Sequence, residues 1–179
     1  KRQDLKSGWE RSYYSNGEVK VEQHYEANQR SGWTYEYDQE GQRRKAIPYR
    51  SNVEDGKGRE YAIDGRTIAL LEYDKGYLRT IEKINRYDSF GQKTGVWMEW
   101  TSNGIVQEQG PWEAGKRNGL FRFYDQWGQL EDVVKYFEGE VVSDALEIKE
   151  IDIRTTTHAN GTIATRSTYE KGVRVGVYT

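Results

Sequence analysis

Short runs of this chain alternate between aromatic and polar residues. Trp33, Tyr35 and Tyr37 occupy every second position, with polar residues between them. A two-residue period places these aromatic side chains on one side of a β-strand. A turn sequence that ends in Gly41 follows, and a second run of about eight residues comes after it. The pattern predicts a β-hairpin, with glycine supplying the positive φ that a tight reversal needs.

The hairpin pattern recurs at a fixed spacing. From an opening glycine, an aromatic residue follows five positions on, a second glycine nine on and a closing aromatic seventeen on. Four copies open at Gly8, Gly32, Gly95 and Gly119. A period of roughly 20 to 50 residues indicates a repeat array. The closing aromatics that this spacing identifies are Tyr25, Tyr49, Tyr73, Trp112, Tyr136 and Tyr169.

The spacing predicts an all-β fold organised as a single repeat array over residues 1–179. Regular repeats cover about 8–57 and 95–139, a compressed repeat that opens at Gly58 and an insertion cover 58–94, and degenerate repeats cover 140–179. Hairpins should turn near residues 15–17, 39–41, 102–104 and 126–128. Aliphatic residues are few, so we expect a single-layer antiparallel sheet that packs one aromatic face.

We assign the periodic aromatics, namely the closing set with Tyr13, Tyr37, Trp100 and Tyr124, to that packed face. Other aromatics fall outside the register: Tyr14, Trp97, Phe121 and Phe123 on strands, and Phe90 and Trp127 in turns. We expect these on the opposite, exposed face, where Trp and Tyr are favoured anchors for partners. The alternative is that Trp97 and Phe121 are local equivalents of Trp9 and Trp33 after a bulge.

Charge narrows the classes of partner. The chain has 179 residues, of which 31% are charged, and its formal net charge is −2, so neither nucleic acid nor an anionic membrane is generally attracted. No stretch approaches the roughly 18 apolar residues of a membrane-spanning helix. Residues 42–50 carry four basic residues and no acid, whereas residues 131–152 carry eight carboxylates against two lysines. These runs are either solvated strand faces or, at the acidic end, a surface that captures a basic partner.

No residue pattern points to catalysis. His24 and His158 are the only histidines, neither has a visible paired group, and cysteine is absent. No metal-ligand spacing occurs either. We therefore predict a chain that is not an enzyme and has no cofactor and no metal.

The run Gly-Trp-x-x-x-Tyr-Tyr-x-Asn-Gly at residues 8–17, followed by Tyr25 and Gly32-Trp33, resembles the MORN repeat. More closely, it resembles the bacterial variant of YwqK-type proteins, which are described as antitoxin components. The resemblance implies an elongated antiparallel β-meander that serves as a protein-binding scaffold without a common catalytic residue. It also implies an antitoxin or immunity role, with a toxin or effector as partner. A structural or envelope-associated scaffold that contacts lipid or glycan is the alternative.

The irregular segment 131–160 is the predicted partner-binding region. It abandons the repeat anchors, and its carboxylates would speed encounter with a basic toxin or effector. The alternative is that it is only an atypical terminal cap, as end repeats often are. Oligomeric state stays open, and a signal sequence upstream of Lys1 would move the chain from the bacterial cytoplasm to the periplasm or cell envelope. The predicted partner-binding residues are Phe123, Trp127, Glu140, Asp144, Glu147, Glu150 and Asp152.

Overall fold

The chain is built from antiparallel β-strands joined as successive hairpins. The computed structural model describes residues 5–143, 145, 151–160, 162–170 and 173–175, and these residues contain strands and turns but no helix. The all-β prediction is therefore confirmed. The chain divides into an N-terminal unit, Lys1–Asn85, and a C-terminal unit, Arg86–Thr179. The prediction of one continuous array concerns how these units join and stays a prediction.

The N-terminal unit contains an eight-stranded sheet with the order β1-β2-β3-β4-β6-β7-β8, in which β5 pairs with β4 alone. All pairings are antiparallel, and neighbours in the sheet follow the order of the chain, as expected of tandem hairpins. The strands are β1 (Gly8–Tyr13), β2 (Val19–Glu26), β3 (Gln29–Tyr37), β4 (Arg43–Arg50), β5 (Val53–Glu54), β6 (Gly56–Tyr61), β7 (Thr67–Asp74) and β8 (Tyr77–Lys83).

The C-terminal unit contains two sheets. A seven-stranded sheet has the order β15-β14-β13-β11-β10-β9, with β12 paired to β11, and a three-stranded sheet has the order β16-β17-β18. The strands are β9 (Arg86–Tyr87), β10 (Lys93–Trp100), β11 (Val106–Glu113), β12 (Lys116–Arg117), β13 (Gly119–Tyr124), β14 (Leu130–Phe137), β15 (Glu140–Val141), β16 (Ile151–Thr157), β17 (Ile163–Glu170) and β18 (Val173–Val175).

The four predicted hairpin turns lie where the sequence places them. In the β3–β4 turn the Gly41 amide donates to the Asp38 carbonyl at 3.1 Å. The Asp38 carboxylate accepts the amides of Glu40 and Gln42 at 3.2 and 2.8 Å. An aspartate that binds the backbone two residues ahead stabilises a turn by itself. The turns at 15–17, 102–104 and 126–128 also lie between paired strands.

One register recurs in five hairpins, because the opening glycine always lies directly opposite the closing aromatic. All five glycines have positive φ, and a register shift follows near the end of each opening strand. The third repeat opens at Gly56, two residues before the glycine that sequence analysis chose, so its spacing equals that of the others. The pairs are Gly8 with Tyr25, Gly32 with Tyr49, Gly56 with Tyr73, Gly95 with Trp112, and Gly119 with Tyr136.

Two-residue turns connect one hairpin to the next. Both turn residues have positive φ, as at Ala27 and Asn28 or Glu138 and Gly139. This is the geometry of a tight turn whose twist matches that of the flanking strands. The second turn residue also donates its amide to a carbonyl of the preceding repeat, Asn28 to Lys6 at 2.9 Å for example. The same bond recurs at Asn52, Gly76, Gly115 and Gly139.

The packed face of the C-terminal unit is a continuous row of aromatic rings. Trp97 and Phe121 are its most deeply buried members, with 6% and 0% of their surface exposed. Successive rings in the row have centroids 5.1 to 6.5 Å apart, and most meet edge to face. Edge-to-face contact at this range is the favoured geometry of aromatic pairs. In order across the sheet the rings are Tyr87, Trp97, Trp112, Phe121 and Tyr136.

Gly110 makes room for this row. A Cβ atom at Gly110 would lie only 2.5 Å from the Phe121 ring, so the ring packs directly against the backbone of β11. Arg117 lies over the same row, with its guanidinium 4.8 Å from the Phe121 ring centroid. Its Nη2 donates to both carboxylate oxygens of Glu108 at 2.8 Å, which balances the charge next to the rings.

The assignment of aromatics to faces was wrong at several residues. Trp97 and Phe121 lie in the packed row, and Phe123 is half-buried on the same side of β13, instead of on the exposed face. Tyr13, which was assigned to the packed face, is 58% exposed. Nor are Trp97 and Phe121 the equivalents of Trp9 and Trp33. Trp97 and Phe121 stand two residues after their opening glycines, whereas Trp9 and Trp33 stand one residue after theirs. Because adjacent residues of a strand point to opposite faces, the two pairs lie on opposite faces of their respective sheets. Thr34 occupies the two-residue position in its repeat and is buried.

Replacement of Phe121 by alanine should reduce the free energy of unfolding by ~3 to 5 kcal/mol, because it removes a fully buried ring. Phe90→Ala is the matched control, since Phe90 is an exposed turn residue, and it should change stability by less than about 0.5 kcal/mol. Chemical denaturation of both variants measures the difference. Equal stabilities would contradict the packed row.

Tyr49 should make folding stability fall at high pH. Burial, together with the hydrogen bond that its hydroxyl donates to Glu54 at 2.8 Å, raises the pKa of Tyr49 from 10.0 to about 12. Below pH 10 the residue is neutral in both states; between pH 10 and 12 only the unfolded chain loses the proton, so stability is lost there. Tyrosinate absorbance is titrated for wild type and for Tyr49→Phe, and the difference between the two curves reports Tyr49 alone. This difference should have its midpoint near pH 12. A midpoint at the ordinary tyrosine value would contradict this environment.

Candidate functional site

No group of three or more histidine, aspartate or glutamate side chains in the described part of the chain could hold a metal ion. His24 Nδ1 lies 3.1 Å from the Ser31 carbonyl oxygen, and its ring meets Trp9 edge to face. Those neighbours position the imidazole within the sheet. The described residues also contain no helix long and apolar enough to cross a membrane.

Trp127 is an exposed aromatic residue among the predicted partner-binding residues. It stands in the β13–β14 turn with 65% of its surface exposed. The turn is held by Asp125, whose Oδ1 accepts the amides of Trp127 and Gln129 at 3.0 and 2.9 Å. A large aromatic side chain is therefore presented to solvent on a hydrogen-bonded turn.

Three of the other predicted residues have described side chains, and these lie on three different strands. Phe123 is half-buried on the same side of β13 as Phe121, below the Arg117 guanidinium at 5.7 Å. Glu140 is exposed on β15, and Asp152 is exposed on β16 with Arg154 Nε at 2.6 Å. Asp144, Glu147 and Glu150 lie outside the described residues. The predicted acidic cluster therefore stays a prediction.

Basic residues surround a cavity beside Trp127. The cavity has a volume of about 530 Å³, and Arg122, Arg166 and Arg174 all line it. Arg166 Nη1 donates to Asp125 Oδ2 at 3.0 Å, with the two side chains only 14% and 10% exposed. This ion pair connects the three-stranded sheet to the β13–β14 turn. No sequence pattern indicated it, because the partners are 41 residues apart.

A second surface, which sequence analysis missed, lies in the N-terminal unit. The rings of Trp9 and Trp33 stack on Tyr35 with centroids 5.9 and 6.3 Å away and interplanar angles of 17° and 8°. Trp9 is 52% and Trp33 40% exposed, so the stack faces solvent. We call Trp9, Trp33 and Tyr35 the outer aromatic face. The signal that could have revealed it is the odd offset of all three from their opening glycines, which places them opposite the packed side.

The outer aromatic face is reinforced by a cation. The Arg43 guanidinium lies 4.2 Å from the Tyr35 ring centroid, within the range of a cation–π interaction. Partial burial raises the pKa of Tyr35 and Arg43 opposes that rise, so the phenol stays neutral at physiological pH. Beyond Arg43 the face continues into an open hollow of about 600 Å³, which Tyr37, Tyr61 and Ile63 help to line. The result is an aromatic and cationic surface across several strands.

No protein-family model matches this chain, and no curated protein matches it. Its function must therefore be argued from these surfaces and from the resemblance of its repeats.

Proposed function

We propose that this chain is a non-catalytic protein-binding repeat protein of the MORN type, in the YwqK-like bacterial variant. The observation that carries the proposal is the outer aromatic face. Tryptophan and tyrosine dominate binding hot spots, and contiguous exposed aromatic surface on a soluble chain usually serves an interaction. Because paired strands fix Trp9, Trp33 and Tyr35 in place, little conformational entropy is lost when a partner docks.

The proposal includes an antitoxin or immunity role in which the partner is a toxin or effector protein. The resemblance of the repeats supports this part. The predicted acidic segment 131–152 would add long-range attraction if that partner is basic. The outer aromatic face would then supply the short-range contacts.

A scaffold role at the cell envelope is the second candidate, and the same surface favours it. Near-parallel exposed rings such as Trp9, Tyr35 and Trp33 offer flat apolar faces on which sugar rings can pack. Amphipathic aromatic side chains also suit a lipid interface. The two candidate functions differ in the ligand of the outer aromatic face. The first predicts that it binds a protein, and the second predicts that it binds glycan or lipid.

The proposal is tested by affinity capture from cells of the source organism, followed by affinity measurement with the captured protein. Trp9→Ala combined with Trp33→Ala should weaken binding by about 30-fold or more, as expected when about 2 kcal/mol of hot-spot energy is lost. Phe90→Ala combined with Phe137→Ala is the matched control, because it also removes two exposed aromatic rings but lies outside the outer aromatic face. The control should bind like wild type.

Unchanged affinity of the Trp9 and Trp33 variant, at unchanged folding stability, would overturn the assignment of binding to this face. Retention of envelope glycan or lipid vesicles with no retained protein would favour the scaffold candidate.

A further inference from the structure

The cavity beside Trp127 is lined by residues of separate elements of the C-terminal unit. It lies where the β13–β14 turn meets the three-stranded sheet, with Arg122 on β13, Arg166 on β17 and Arg174 on β18. Three strands that belong to two different sheets thus direct arginines towards one space of about 530 Å³.

The described lining of this cavity is positively charged. No described lining residue is a carboxylate. Asp125, which is not a lining residue, binds Arg166 through Oδ2, while its Oδ1 accepts two backbone amides. Even without Arg174 in the count, the lining has two arginines, Arg122 and Arg166, and Asp125 is the carboxylate whose bond to one of them is described. The cavity therefore attracts an anion.

The remaining lining suits a ligand that is only partly polar. Ile105, Leu130 and Val175 are apolar, and Trp127 stands at the margin with most of its ring exposed. Burial raises the pKa of Tyr124 although Arg122 opposes the rise, so the phenol keeps its proton and can donate a hydrogen bond. A carboxylate next to apolar groups matches this combination of side chains.

The surroundings disfavour a long polyanion. Glu131 and Asp132 are exposed and directly follow Leu130 of the lining, and the whole chain has a formal charge of −2. These neighbouring carboxylates and the negative net charge repel a long nucleic acid strand more than they repel one isolated carboxylate. Arginine is also the side chain whose planar donors match a carboxylate best.

We infer that the cavity binds an acidic side chain of a partner protein segment, with Arg122 and Arg166 holding the carboxylate and Trp127 contacting a neighbouring apolar residue. The inference rests on the proposed function, because it requires a protein partner. It differs from the sequence-based expectation of a basic partner, since this cavity presents cations to the partner.

The test is a nuclear magnetic resonance titration of the labelled full chain with a short capped peptide that carries one glutamate between leucines. The probe should shift the signals of the Trp127 indole N–H and of the Gly128 and Thr168 amides. The same peptide with glutamine in place of glutamate should bind at least about tenfold weaker, because the Arg–carboxylate interaction is lost. Added salt should weaken only the glutamate peptide.

Single substitutions of arginine then test whether Arg122 binds the glutamate carboxylate of the peptide. Arg122→Gln should weaken the glutamate peptide about tenfold or more, whereas Arg154→Gln, on the same three-stranded sheet but outside the cavity, should leave it unchanged. Arg166 is kept because its ion pair with Asp125 connects the two sheets. The comparison of the two peptides on the wild-type chain needs no variant, so poor folding of Arg122→Gln cannot mask the result.

Equal binding of the two peptides, or no binding of either, would overturn the inference. So would inorganic phosphate shifting the same signals in a parallel titration while the glutamate peptide does not. The probe is a synthetic peptide, so a negative titration would not affect the binding results for the captured partner and the Trp9 and Trp33 variant. If no partner is captured, the peptide titration can still be carried out and interpreted.

Discussion

The pairing of each opening glycine with the closing aromatic of its own hairpin is the constraint on which this structure depends. It fixes the register, and in a β-strand the register fixes the face of every other side chain. Once Gly95 lies opposite Trp112, Trp97 must point to the packed side and Val96 away from it. Once Gly8 lies opposite Tyr25, Trp9 must point to solvent. A repeat of glycines thereby decides which aromatic residues stabilise the sheet and which are available to a partner.

The same repeat accommodates different side chains at the packed position. Thr34, Gly58, Trp97 and Phe121 each stand two residues after their opening glycine and are buried. Phe121 fits only because Gly110, on the neighbouring strand, lacks a Cβ. The absence of a side chain at Gly110 makes room for the large Phe121 ring. Packing at this position thus depends on both of two neighbouring repeats.

Sequence reasoning predicted the hairpins and their turns because these depend on local spacing and on residues such as Asp38 and Gly41. It assigned several aromatics to the wrong face, since a one-residue offset between Trp9 and Trp97 reverses the direction of the side chain. It opened the third repeat at Gly58 instead of Gly56, because two nearby glycines compete for that position. The arginine cavity could not be predicted, because it depends on contacts such as Arg166 with Asp125 between separate sheets.

The assignment of faces is tested most directly by hydroxyl-radical footprinting of the native chain, with oxidation of each aromatic residue measured by mass spectrometry. The account predicts fast oxidation of Trp9, Trp33 and Trp127 and protection of Trp97 and Phe121 until the chain unfolds. Oxidation of Trp97 and Phe121 as fast as Trp9 and Trp33 would show that the faces are wrongly assigned, and both proposed binding surfaces would have to be redrawn.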